Sequence, residues 1–161
     1  MSAPESPELM DYMAAIRQEI GRSGEYPFSC GLIAVDIANL FLRQYEDPGN
    51  PQVVGLHGQP MDFMGNTTPL VPRAFEGRVR WGAHLVCVEG DLAYDPITAE
   101  PTPFETYLRE TFTVRPERGR AFKGRELEGL IAQRALIAQD IRQNAPRGIV
   151  TDVEQLGQPK Q

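Results

Sequence analysis

The stretch Trp81 to Pro96, WGAHLVCVEGDLAYDP, leaves the chain few ways to fold. Leu85, Cys87 and Glu89 alternate with His84, Val86 and Val88, so each set takes one face of a strand. Glu89-Gly90-Asp91 makes a turn, and Leu92, Ala93, Tyr94 and Asp95 lead back, which predicts a β-hairpin. Folding at Gly90 brings His84, at the start of the first strand, to within about one residue of directly opposite Asp95, at the end of the second. The hairpin thus offers an imidazole with a carboxylate beside it. It lacks a nucleophile.

Cys30 supplies one. It stands in PFSCGLIAVDIANLFLR, where Pro27 favours an extended approach and Ser29 is suited to cap a helix. The helix is expected to run to about Tyr45, with Ile33, Ala34, Ile37, Leu40 and Phe41 on its inner face and Asp36 and Asn39 outside. A thiol in the first turn feels the positive end of the helix dipole, which favours the thiolate.

A helix-start Cys followed by His and Asp on paired strands is the order used by papain-like thiol enzymes. On the Cys30 helix, the W-G-x-H strand start at Trp81–His84 and the Asp95-Pro96 hairpin end, the chain resembles the papain-like and transglutaminase-like superfamily. It is most similar to the small bacterial toxin and effector branch, which includes proteases and glutamine deamidases. The resemblance covers roughly Tyr26 to Phe112. It implies Cys30 as nucleophile, His84 as base and Asp95 as orienter, with no metal or cofactor. It also implies a protein substrate, with an inhibitor, immunity or chaperone partner. Many relatives place Gln or Asn a few residues before the Cys as an oxyanion donor. Here the preceding residues run Ser23-Gly24-Glu25-Tyr26-Pro27-Phe28-Ser29, and the nearest upstream candidate is Gln18.

The bulk properties narrow the class. A chain of 161 residues, 41% hydrophobic and 24% charged, fits one globular domain. We place that domain at residues 1–145 and a C-terminal tail at 146–161. The net charge of −6 argues against broad nucleic-acid binding. No run approaches the roughly 18 apolar residues of a membrane span. MSAPESPELM has neither a basic start nor an apolar core, so no classical signal peptide is expected. A cytoplasmic setting, or delivery into a target cell by a route without such a signal, is expected. Two Cys make no disulfide framework and no metal-ligand pair.

The remaining segments read as follows. Residues 1–6 read as a frayed tail. Ser6, Pro7 and Glu8 begin a helix with Leu9, Tyr12 or Met13, Ile16 and Ile20 at helical spacing, ended by Gly21. Asp47-Pro48-Gly49-Asn50-Pro51 is a turn, and 52–56 a short strand. Residues 57–80 read as a long loop, in which Met61, Phe63 and Met64 anchor onto the core or, as the second choice, line a substrate groove. His57, in that loop, ranks below His84 as base. Thr102-Pro103-Phe104-Glu105 reads as a capping box with Phe104, Tyr107, Leu108 and Phe112 on an apolar face. Residues 115–125 read as a solvated basic turn, and Arg125 to Asn144 as the longest helix, with a stripe at Leu127, Leu130, Ile131, Ile137 and Ile141.

Alone, each candidate has an ordinary structural use: a Cys packs, a strand His is simply hydrogen-bonded, Asp-Pro turns the chain. Their joint order favours a triad. Cys87, in the middle of an apolar strand, reads as core. The expected fold is α+β, a small antiparallel sheet packed against the Cys30 helix with further helices around it. The expected activity is thiol-dependent amide hydrolysis by Cys30, His84 and Asp95, with the Cys30 N–H as one oxyanion donor. The alternatives are an acyl- or amide-transfer enzyme or peptidoglycan amidase with the same triad, or a non-catalytic binding module of this fold.

Overall fold

Ser6 opens the first helix as its sequence expects. The Ser6 hydroxyl accepts the Leu9 N–H, and Pro7 fills the first helical position. The computed structural model describes residues 5–26, 29–44 and 49–144, with 137–144 described through their backbone alone. Pro27, Tyr45, the Asp47-Pro48 turn and the tail at 146–161 therefore lie outside the described residues. Helix α1, Pro7–Ser23, buries Leu9, Met13, Ile16 and Ile20. It does not stop at Gly21. Gly24, at φ 80°, forms the left-handed cap and donates its N–H to the Ile20 carbonyl. That backbone conformation, and not the mere presence of a glycine, ends the helix.

Helix α2 spans Cys30–Leu42 and is capped by Ser29, whose hydroxyl accepts the Leu32 N–H. It ends three residues earlier than expected. Leu32, Val35 and Ala38 are buried along with Ile33, Ala34, Ile37 and Phe41, while Leu40 is only half-buried. A helix apolar on nearly every side must be covered on nearly every side. Here the sheet takes one flank and two other helices the rest. Asp36 is accordingly not a solvent-facing residue. It accepts the Tyr12 hydroxyl from α1 and two of the three Arg134 nitrogens, Nε and Nη2, each at 3.1 Å, from the last helix.

Five strands form one antiparallel sheet among the described residues. They are β1 (Gln52–His57), β2 (Ala83–Glu89), β3 (Leu92–Tyr94), β4 (Thr102–Pro103) and β5 (Glu117–Phe122), in the order β4-β3-β2-β1-β5. Helix α3, Phe104–Thr111, and α4, Gly124–Asn144, complete the described elements. The period of two along β2 divides the core. Leu85 and Cys87 join Val53 and Tyr94 against α1, α2 and α4. Val86 and Val88 join Val54, Leu56 and Ala93 against α3, Leu70 and Phe112. Both faces of the sheet are therefore covered, and the fold is α+β.

Three local expectations fail for identifiable reasons. The capping box does not form: the Thr102 hydroxyl donates to the Glu100 carbonyl, and Pro103 occupies the cap without a side-chain bond. Pairing of β4 with β3, and the Phe104 N–H on the Asp91 carbonyl, hold Thr102 in a strand. The basic segment is an edge strand, not a turn. Its arginines cover the edge, Arg118 over the Phe104 ring and Arg120 over the Phe122 ring, each at 4.5 Å. Edge position frees a strand from the apolar alternation that would have marked it.

The third failure is the methionine loop. Met61 is 62%, Phe63 107% and Met64 84% exposed, so they anchor nothing. Leu70, which pairs with Trp81, and Phe75, in a single 3-10 turn, tie that loop down instead. Asp62 shapes the exposed tip by accepting the Met64 and Asn66 N–H groups and the Asn66 amide. The first part of the α4 stripe packs on the domain. Leu127 is buried, and Leu130 and Ile131 pack beside it on the core; Leu136 is exposed, and the Ile137 and Ile141 side chains lie outside the described residues.

Candidate active site

The hairpin exists, with one correction to its register. Cys87 pairs with Tyr94 and Glu89 with Leu92. Continuing that ladder sets Asp95 opposite Val86, two positions from His84 and not one. The difference matters, because an offset of one would put the two side chains on opposite faces, whereas two keeps them on the same face as diagonal neighbours. His84 Nε2 and Asp95 Oδ2 are 2.8 Å apart, and the residues are 1% and 3% exposed. With water excluded, the protein itself must satisfy both groups.

Asp95 is fully served. Oδ1 accepts the Tyr26 hydroxyl and, at 3.1 Å, the Ile97 N–H. Oδ2 accepts His84 and the Tyr107 hydroxyl. A carboxylate has about four lone-pair sites, and four donors occupy them. Burial pushes the Asp95 pKa up, but the His84 charge and the hydrogen bonds from His84, Tyr107 and Tyr26 outweigh it and hold the carboxyl below its usual range. Both tyrosines are raised well above the usual phenol value, by burial first and the Asp95 charge second, so they remain protonated donors.

Cys30 completes the group. The Ser29 cap fixes α2's first turn, which lies beside the start of β2, and the Leu85 N–H points to the Cys30 sulfur at 3.4 Å. The thiol is half-buried. Nε2 of His84 is committed to Asp95, which leaves Nδ1, buried and without a full hydrogen bond, as the nitrogen for Cys30. Burial alone pulls the imidazolium pKa down. The negative charges of Cys30 and Asp95 outweigh it and raise His84 to about 10. Trp81 lies over the imidazole, ring centroids 4.4 Å apart and planes within 7°, and Phe112 meets it edge-on at 6.0 Å. A ring face stabilises a cation placed against it. Cys30, His84 and Asp95 line one narrow crevice.

The other candidates do not line that crevice. His57 closes β1, where its Nδ1 is 2.9 Å from the Gly58 carbonyl oxygen. Gln18 is exposed, away from α1's buried stripe. Cys87 is fully buried, and burial followed by the nearby Glu89 drives its thiol far above the usual range. The sequence reading missed Tyr26 and assigned Tyr107 to plain core. The available signal was chemical: a phenol placed on a buried helix face still needs a partner for its hydroxyl.

Among the described residues no cluster of side chains fits a metal ion, and no helix is long and apolar enough to cross a membrane. Comparison with protein-family models, curated proteins and solved structures finds no match for this chain.

Proposed function

We propose that this protein is a thiol-dependent amide hydrolase of the papain-like kind. Cys30 attacks an amide carbonyl, His84 carries the proton and returns it to the leaving amine, and Asp95 orients the imidazole and supports its charge. The Cys30 N–H, at the start of α2, receives the developing oxyanion. The observation that carries this reading is the buried His84–Asp95 contact at 2.8 Å in the crevice that Cys30 also lines. A buried imidazole with a carboxylate on one nitrogen and a thiol toward the other is costly to assemble for packing alone.

The substrate in this reading is one specific folded protein, and the bond is a glutamine side-chain amide or a single selected peptide bond. Two features support docking over threading of an extended chain. The crevice is narrow. The exposed Met61, Phe63 and Met64 tip belongs to the loop that leaves β1 at His57 and returns at β2, the sheet end that bears His84. Exposed apolar side chains on a braced loop suit contact with a partner surface.

The test is mass spectrometry of candidate proteins after incubation with wild type and with Cys30→Ala. A mass gain of one dalton at glutamine, or one defined cut, lost in Cys30→Ala, is the expected result. Rapid cleavage of casein at many sites, abolished by Cys30→Ala, overturns the docking part. Absence of any Cys30-dependent change, together with an unreactive Cys30 thiol, overturns the enzyme reading.

A further inference from the structure

Two phenols converge on one buried carboxylate. Tyr26 arrives from the segment before α2 and Tyr107 from α3, and they donate to opposite oxygens of Asp95. We propose that Tyr26 and Tyr107 are positioning residues whose hydroxyls keep Asp95 ionised and thereby hold the Cys30–His84 pair in its charged form. The proposal rests on the triad reading given above and assigns the residues that set its charge state.

Consider what competes with the charged arrangement. Cys30 as thiolate, His84 as imidazolium and Asp95 as carboxylate carry one net negative charge. Uptake of one proton from solvent gives a wholly neutral set: thiol, imidazole and carboxylic acid. No bond to carbon changes, and the proton count balances with that single proton. Burial favours the neutral set, because each charge has lost its water. His84 and Asp95 are 1% and 3% exposed, so solvent does little to restore it.

The donors on Asp95 act against that neutral set. Four hydrogen bonds suit a carboxylate, while a carboxylic acid must turn one oxygen into a donor and so loses an acceptor site. The Ile97 N–H and the two hydroxyls cannot leave: the first belongs to the backbone, and the phenols are held by rings packed in the core. Cys30 faces His84 from α2, and Arg17 of α1 reaches only the Thr98 carbonyl, at 3.4 Å. The tyrosines are therefore the side chains, besides His84 itself, that bind the ionised Asp95.

The test uses the full chain and iodoacetamide, so no substrate is needed. The rate of Cys30 alkylation is measured against pH for wild type, Tyr26→Phe, Tyr107→Phe and the double variant. Labelling of the fully buried Cys87 reports unfolding in the same spectra. Removing a hydroxyl is expected to move the acid midpoint of the Cys30 profile up by about one pH unit, and removing both by more. An unmoved midpoint in folded single variants overturns the proposal while leaving the triad intact. If both variants expose Cys87, the hydroxyls hold the fold and not the charge, and the proposal is again overturned. If wild-type Cys30 labels no faster at mildly acidic pH than a small-molecule thiol, the triad reading itself fails.

Discussion

Replacing Asp95 by Asn changes one oxygen to an NH2 and removes one charge from a site that is 3% exposed. The amide can be placed in two ways, and both fail. With its oxygen toward Tyr26 and the Ile97 N–H, its NH2 faces His84 Nε2, which must then accept. The ring proton moves to Nδ1 and the imidazolium is lost. With the amide reversed, two donors meet at the Ile97 N–H. Removing one side of a buried ion pair costs about 3–5 kcal/mol. At about 1.4 kcal/mol per decade, the lower figure corresponds to roughly a hundredfold fall in the charged thiolate form. Iodoacetamide labelling of Cys30 at mildly acidic pH, read by mass spectrometry, should slow by that factor, and urea unfolding at neutral pH should lose about 3 kcal/mol. A folded Asp95→Asn protein whose Cys30 labels at the wild-type rate would refute the reasoning. Asp95 would then be a turn residue.

Three further outcomes are expected. Wild-type Cys30 should label well before Cys87, whose thiol is fully buried; equal rates in the native protein would remove the case for Cys30 as nucleophile. His84, with its raised pKa, contributes stability that is complete below its unfolded value of about 6.5 and is lost as pH rises through about 10, while Asp95, with its lowered pKa, contributes above about 3.9 and loses that contribution as pH falls through its folded value. Urea midpoints across pH should show both declines, and His84→Gln should remove the alkaline one. Asp36→Ala breaks contacts among three helices through Tyr12 and Arg134, which are only partly screened, and should cost about 2 kcal/mol in urea unfolding; a double-mutant cycle with Arg134→Met that is fully additive would contradict the pairing.

What could be read from the sequence followed how local the determinants are. Ser29 caps the turn that carries Cys30, and both lie within one short stretch. His84 and Asp95 are eleven residues apart on one hairpin, so strand alternation nearly placed them, missing only by one step of register. Tyr107 is only 12 residues from Asp95, but it sits on helix α3, which shares no strand alternation with the hairpin. Its apolar setting concealed its hydroxyl's use. The strand at Glu117–Phe122 was hidden for the opposite reason. An edge strand with arginines over aromatic rings carries no alternation to detect. Gly21 and Gly24 show a third limit: two glycines at a helix end look alike, and only one takes a positive φ.

The chain contains one tryptophan, and it is Trp81, lying parallel to the His84 ring at 4.4 Å. A protonated imidazole quenches an excited indole at contact far more than a neutral one does. Intrinsic emission from this protein is therefore a native readout of one proton. It needs no dye and no second tryptophan to be removed. Ligands, electrophiles or partners that alter the charge on His84 should announce themselves as a change in brightness, even where no substrate has been identified.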